Sequence, residues 1–218
     1  MTDWHTDRLF GWAVNRGASA LINRRSRLVI DPERFADQSL EPMEARGQGV
    51  VYTRTSDGEP LRTSDPDDRE RIIATLYEPY HRALSALVAE QLDRFDRCSI
   101  LDCHSFGTRP LPSEVDQSPD RPDICIGTDP VHTPEPLAEA MEHAFSNEGF
   151  RVRRDSPFDG AIVPLDRYRT DMRVRSVMVE VRRGLYCDES TGAPGPAFED
   201  VRLAIERAVL AAGLFDEP

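Results

Sequence analysis

Ser99-Ile100-Leu101-Asp102-Cys103-His104-Ser105-Phe106 is the stretch whose reading decides the fold. It is a short apolar run that ends in a polar cluster, followed by Gly107, Pro110 and Pro112. Such a run, closed by a turn, reads as a buried strand. Successive strand side chains point to opposite faces, so Ile100, Asp102 and His104 share one face while Cys103 and Ser105 take the other. Cys103 and His104 therefore cannot form a nucleophile–base dyad, which excludes a thiol-protease reading. His104 falls at the carboxyl end of the strand, where open α/β sheets bind their ligands. From spacing alone it is either a structural histidine, the commoner outcome, or a metal ligand.

Working outward, residues 3–16 read as a helix carrying Leu9, Phe10, Ala13 and Val14, with Gly17 as its stop. Residues 18–22 and 27–31 read as strands, and 50–53 as a short strand or extended loop. Asp65-Pro66 is an N-cap and first-turn pair. The helix that follows carries Ile72, Ile73, Leu76 and Tyr77, and Pro79 kinks or breaks it. A second helix carries Leu84, Leu87, Val88, Leu92 and Phe95. Residues 107–122 hold four prolines and no periodicity, the mark of a long, functional loop. Strands at 123–128, about 150–153 and 176–181, a helix from Pro134 to Gly149 and a last helix at about 198–212 complete the pattern. Strands alternating with helices predict a single α/β domain over 1–218, a three-layer sandwich with a mainly parallel mixed sheet.

The chain has 218 residues and a formal net charge of -12, with 27 Lys+Arg against 39 Asp+Glu. That balance argues against nucleic acid or an anionic membrane as partner. No apolar run approaches the ~20 residues of a membrane span, and Met1-Thr2-Asp3-Trp4-His5 shows no signal peptide. The four cysteines form no CxxC pair and read as thiols of a cytoplasmic protein. Every one of the 27 basic residues is Arg. An acidic, lysine-free surface suits a high-salt cytoplasm; coding at high GC content is the alternative source.

Glu180 is a lone carboxylate in Val177-Met178-Val179-Glu180-Val181, sharing its face with Met178 and Arg182 while valines take the other. Burying an unpaired charge is costly. Glu180 is thus either paired with Arg182 or Arg173, or a general base at a strand's carboxyl end. His104 and Glu180 can face one cleft. Arg27 and Arg34 flank Asp31-Pro32, placed either for bidentate contact with a substrate carboxylate or for structural ion pairs. His132 reads as a loop residue, and His81 and His143 as solvated helix residues.

Four blocks occur in order: Ser26-Arg27-Leu28-Val29-Ile30-Asp31-Pro32-Glu33-Arg34, Leu101-Asp102-Cys103-His104-Ser105-Phe106, Arg121-Pro122-Asp123-Ile124-Cys125-Ile126-Gly127-Thr128, and Val177 through Tyr186. Together they resemble the N-formylglutamate amidohydrolase family, over nearly the whole chain. The resemblance implies a zinc-peptidase-like (phosphorylase/hydrolase-like) fold and hydrolysis of the amide of an N-acylated acidic amino acid such as N-formylglutamate, as in histidine degradation. It implies a zinc ion held by His104 and Asp3, with His5 as a further ligand. Glu180 is then the base, Arg27 the group at the scissile carbonyl, and Arg34 with Arg182 the substrate's carboxylate anchors. The implied partner is a small N-acyl amino acid. Where the family pattern has Asp-Leu-Asn-Arg, this chain has Asp31-Pro32-Glu33-Arg34. The family pattern also places a strand with Pro-His-Ser before the first helix, so the domain is expected to lack that strand and to hold zinc weakly. The rival readings are a non-catalytic ligand-binding or interaction protein on the same fold, and a hydrolase of another amide such as a γ-glutamyl peptide.

The surplus of acidic groups implies self-repulsion that salt screens. Tm should rise between low and molar KCl. A flat or falling Tm would assign the missing lysine to coding bias.

Overall fold

The computed structural model describes residues 2–215. In chain order the regular elements are α1 (Thr6–Leu9), α2 (Pro66–Ile72), α3 (Glu78–Phe95), β1 (Cys98–Phe106), β2 (Ile124–Gly127), α4 (Glu135–Asn147), β3 (Val152–Arg154), β4 (Val174–Arg182) and α5 (Phe198–Ala211). The strands form one open mixed sheet in the order β1-β4-β2-β3. β1 runs parallel to β4 and β2 parallel to β3, while β2 and β4 are antiparallel.

Two helical layers enclose the sheet. On one face Val177, Val179 and Val181 of β4 and Ile124 and Ile126 of β2 pack against α4 and α5 through Met141, Phe145, Ile205 and Val209. On the other face Leu84, Val88 and Leu92 of α3 cover Cys98 and Val174. Farther along the same face the strands present Asp102, His104, Met178 and Glu180, covered mainly by loops, with Tyr77 and His81 at the start of the helix also lining the space above them. This half-covered face is what makes a cavity at the carboxyl ends of β1 and β4.

Four expectations fail locally. The first helix breaks early: His5 is left-handed (φ 62°), α1 lasts one turn, and a 3-10 helix takes Gly11–Arg16. The strand expected at 27–31 is coiled, because Ser26 accepts the N–H of Leu28 at its Oγ and those of Val29 and Ile30 at its carbonyl. Such local bonds compete with a sheet ladder. Residues 18–22 pair with no strand among the described residues, and Ile22 is left exposed. Pro79 does not break its helix either. A π-helical turn over Ile73–Tyr77, with the Glu78 N–H reaching Ile73 O, joins α2 to α3. The wider turn makes room for the missing donor and the ring.

Gly127 at the end of β2 is required by close approach. A Cβ there would lie 2.6 Å from the Gly160 carbonyl oxygen. All four cysteines are free thiols. No described helix is long and apolar enough to cross a membrane.

Phe145 is wholly buried between α4 and the sheet. Phe145→Ala should cost about 3–5 kcal/mol, read as a lower denaturation midpoint with an unchanged m-value. A loss under about 1 kcal/mol would mean that the α4 layer contributes little to the core.

Candidate active site

β1 and β4 are in parallel register over their whole length, with His104 opposite Glu180 and Asp102 opposite Met178. Pleating sends Asp102, His104, Met178 and Glu180 to one side. They floor a cavity of about 280 Å³, whose rim includes Arg27, Glu33, Arg34 and Tyr168. That size suits a small molecule.

His104 is buried between two carboxylates. Its Nε2 lies 2.8 Å from Asp102 Oδ1, and its Nδ1 lies 3.6 Å from Asp3 Oδ2. Arg27 Nη2 stands 3.2 Å from the same Nδ1 and 3.6 Å from the same Asp3 oxygen. Burial opposes charge on His104, but Asp102 and Asp3 outweigh it and raise its pKa well above the ordinary imidazole value. Burial likewise opposes charge on Asp3, yet Arg27, His104 and the Ser105 N–H hold its carboxyl well below the usual range. Ser105 donates that N–H to Asp3 Oδ1 at 2.8 Å. Asp102 Oδ2 accepts the Ile162 N–H at 3.0 Å.

Glu180 is buried, and its Oε2 has no hydrogen-bond partner. Burial, only partly offset by His104, pushes its carboxyl up to about 7. Neither structural ion pair considered for it forms. Arg182 is bound to Asp123, and Arg173 to Asp171 and Asp96. Arg182 accordingly does not line the cavity, which corrects its assignment as a substrate anchor. His5 is corrected as well: its Nε2 bonds Gly192 O at 2.7 Å and its ring packs edge-on to Phe198. The left-handed residue turns it away from His104. Asp3, Arg27, Arg34, His104 and Glu180 do converge, and all but Asp3 line the cavity.

Asp31 holds the two arginines. Wholly buried, it accepts the Tyr52 hydroxyl at 2.8 Å and lies 3.5 Å from Arg34 Nε and 3.9 Å from Arg27 Nη1. Helix side chains clamp the same loop from the other side. Tyr77 donates its hydroxyl to Arg34 O at 2.9 Å, and His81 Nε2 lies 3.0 Å from Pro32 O. The π turn sets the phase that aims both at the loop. His81 is thus a half-buried cavity residue, not a solvated one. His132 is buried, with Nδ1 on Val174 O and Nε2 accepting the Arg169 N–H, and it stacks on the cavity residue Tyr168.

Two residues of the site were not singled out from the sequence. Asp102 was legible in principle, lying two residues before His104 on the same strand face. Glu33 was visible only as a departure from the family pattern; it lies 4.0 Å from His104 Nε2. Burial first, then Asp102, pushes its carboxyl up to about 8.

Glu33, Asp102 and His104 each offer a ligand atom, all within 4.8 Å of one another, a possible metal-binding triad. Asp102, however, already uses one oxygen on His104 and the other on the Ile162 N–H. On the opposite side of the ring, His104 Nδ1 and Asp3 Oδ2 are unclaimed by any protein donor except Arg27, whose guanidinium is itself a cation. The donor chemistry there, one imidazole nitrogen and one carboxylate, fits zinc.

An open α/β sheet whose strand ends bring a buried carboxylate, an imidazole and guanidinium groups into one small cavity is the arrangement of a small-molecule hydrolase. The profile of the N-formylglutamate amidohydrolase family matches residues 1–187, and the chain belongs to that family. An N-formylglutamate deformylase of Pseudomonas aeruginosa is 28% identical over 195 residues, spanning 86% of this chain and 71% of that protein. One from Pseudomonas putida is 26% identical over 201 residues, spanning 87% and 72%. The crystal structure of N-formylglutamate amidohydrolase from Ralstonia eutropha shares the fold, with a TM-score of 0.85, 24% identity, and coverage of 98% of this chain and 82% of that one. A gene product of Agrobacterium tumefaciens aligns with a TM-score of 0.61 at 20% identity, covering 89% and 70%.

Asp102→Asn removes the largest single contribution raising the His104 pKa. The imidazole should titrate at clearly lower pH in an NMR titration of its ring protons. An unmoved midpoint would show that Asp102 does not face the ring in solution.

Proposed function

We propose that this protein is a metal-dependent amidohydrolase that removes the acyl group from small N-formyl amino acids of the N-formylglutamate type. The observation that supports it most is the pairing of His104 and Glu180 across the carboxyl ends of two parallel strands, in one cavity with Arg27 and Arg34 and with Asp3 against His104 at 3.6 Å. The relatives named above carry the activity to be tested. A ligand-binding role without catalysis gives no reason for a buried carboxylate with an unused oxygen at this place.

His104 and Asp3 would hold the ion, with Asp102 fixing the imidazole so that Nδ1 faces it. A carboxylate behind a ligating histidine orients the ring and raises its basicity. Zinc bound there would polarise the scissile carbonyl and make water nucleophilic near neutral pH. Glu180 takes the proton from the attacking water and passes it to the leaving nitrogen as the C–N bond breaks, giving formate and the free amine. Its raised pKa is suited to both halves of that transfer. Arg27 donates to the oxyanion that develops on the carbonyl oxygen. Arg34, held by Asp31 and Glu41, lines the cavity and presents its guanidinium to the substrate's carboxylate.

Glu180→Gln keeps shape and removes the proton acceptor. It should lower kcat by about 10²–10⁴-fold while Zn²⁺ affinity, followed by competition with a chelating dye, is retained. In the parent protein kcat should rise with pH as Glu180 ionises, with the limb at or below about 7 because a bound cation favours the carboxylate. A chelator should abolish turnover, and Zn²⁺ should restore it. Near-normal kcat in Glu180→Gln would leave Glu180 structural and sink the mechanism.

A further inference from the structure

On the amidohydrolase reading, on which this inference rests, Arg34 receives the substrate's carboxylate, and Asp31 behind it sets its aim. Asp31 is wholly buried and does not itself line the cavity. Its Oδ1 accepts the Glu33 N–H at 3.1 Å, and its own N–H donates to Val50 O at 2.9 Å. Its Oδ2 faces three donors at graded distances: the Tyr52 hydroxyl at 2.8 Å, Arg34 Nε at 3.5 Å and Arg27 Nη1 at 3.9 Å. The hydroxyl is at hydrogen-bond distance, while both guanidinium groups stand off at ion-pair distance. Arg34 Nε is buried there without a hydrogen-bond partner.

Tyr52 is buried and lies outside the cavity lining. It shares its segment with Val50, so one stretch of chain grips Asp31 by backbone and by side chain. Burial first, then the Asp31 charge, raises its pKa above the ordinary phenol value, so the hydroxyl keeps its proton and donates it. A buried carboxylate oxygen deprived of a donor is costly, and the nearest N–H takes the place. Here that is Arg34 Nε. Closing its gap to Asp31 turns the guanidinium away from the cavity. Arg27 is farther from Asp31 and is also held by His104 at 3.2 Å and Asp3 at 3.6 Å, so it moves less.

We propose that Tyr52 is a positioning residue for substrate binding: by occupying Asp31 Oδ2 it keeps Arg34 at ion-pair distance, with the guanidinium presented to the substrate's carboxylate. Tyr52 touches neither substrate nor the reacting atoms, and it acts on affinity and not on proton transfer.

Tyr52→Phe removes the hydroxyl and keeps the ring. On the full chain supplied with Zn²⁺, formate release should show KM for N-formylglutamate raised about tenfold. The change in kcat should stay below about threefold, the mark of lost binding and not of lost chemistry. In a Glu180→Gln background, chosen to suppress turnover, calorimetry should show Tyr52→Phe weakening N-formylglutamate binding by the same factor. The Arg34 Nε–H resonance, assigned by its loss in Arg34→Lys, should move downfield as the group takes the vacated oxygen. Val51→Ala, a core change in the same segment, should lower Tm and leave both KM and that resonance in place. An unmoved KM, a loss confined to kcat, or an unmoved Arg34 resonance in Tyr52→Phe overturns the proposal. If that variant does not fold, replacing Tyr52 by 3-fluorotyrosine strengthens the donor and should move the resonance upfield; no movement overturns the proposal. If the parent chain hydrolyses no N-formylglutamate, the amidohydrolase reading fails and calorimetry decides. Weaker binding in Tyr52→Phe upholds the positioning role; equal or absent binding overturns it.

Discussion

The parallel ladder between β1 and β4 is the constraint on which the site depends. Its register sets His104 beside Glu180, and a shift of one residue would send either side chain to the opposite face, into the valine-lined core. The register is in turn held by that core. Val177, Val179 and Val181 must face α4 and α5, because exposing them forfeits roughly 25 cal/mol for each Å² of apolar surface. The position of His104 and Glu180 is therefore fixed by apolar residues on the other side of the same strand.

The second constraint is charge. Asp3, Asp31, Asp102 and Glu180 sit in or beside one small cavity, and few of them are solvated. Leaving such carboxylates unpaired would be costly. The fold supplies partners from different parts of the chain: Tyr52 and two arginines for Asp31, the Ser105 N–H and Arg27 for Asp3, and the Ile162 N–H for Asp102. Each bond that satisfies a carboxylate also fixes a loop. The electrostatic network and the shape of the cavity are thus the same set of contacts.

Helices contribute by where they end. α3 covers only the amino half of the face that carries His104, and its extension through the π turn brings Tyr77 and His81 over the loop of Asp31 and Arg34. From β2, Cys125 donates its thiol to Phe158 O at 3.1 Å, and Gly127 lets the Gly160 backbone lie against the sheet. Rigid elements on two sides therefore hold the loops that complete the cavity.

Alternation along the strands was legible in the sequence, because a strand side chain has only two directions: it placed Asp102 and His104 together, Glu180 opposite the valines, and both at carboxyl ends. The apolar periodicity of α3, α4 and α5 was legible for the same local reason, and the four ordered blocks carried the family. What the sequence could not decide were directions set outside the regular elements. His5 is two residues from Asp3, yet a left-handed backbone residue sends it to Gly192; Arg182 is two residues from Glu180, yet Asp123 on a neighbouring segment claims it. The segment 27–31 has the composition of a strand, but Ser26 bonds coil it, and that coil is what delivers Arg27 to His104. Pairing among buried charges is a contest between partners distant in sequence, and only the tertiary structure brings the competitors within reach of one another.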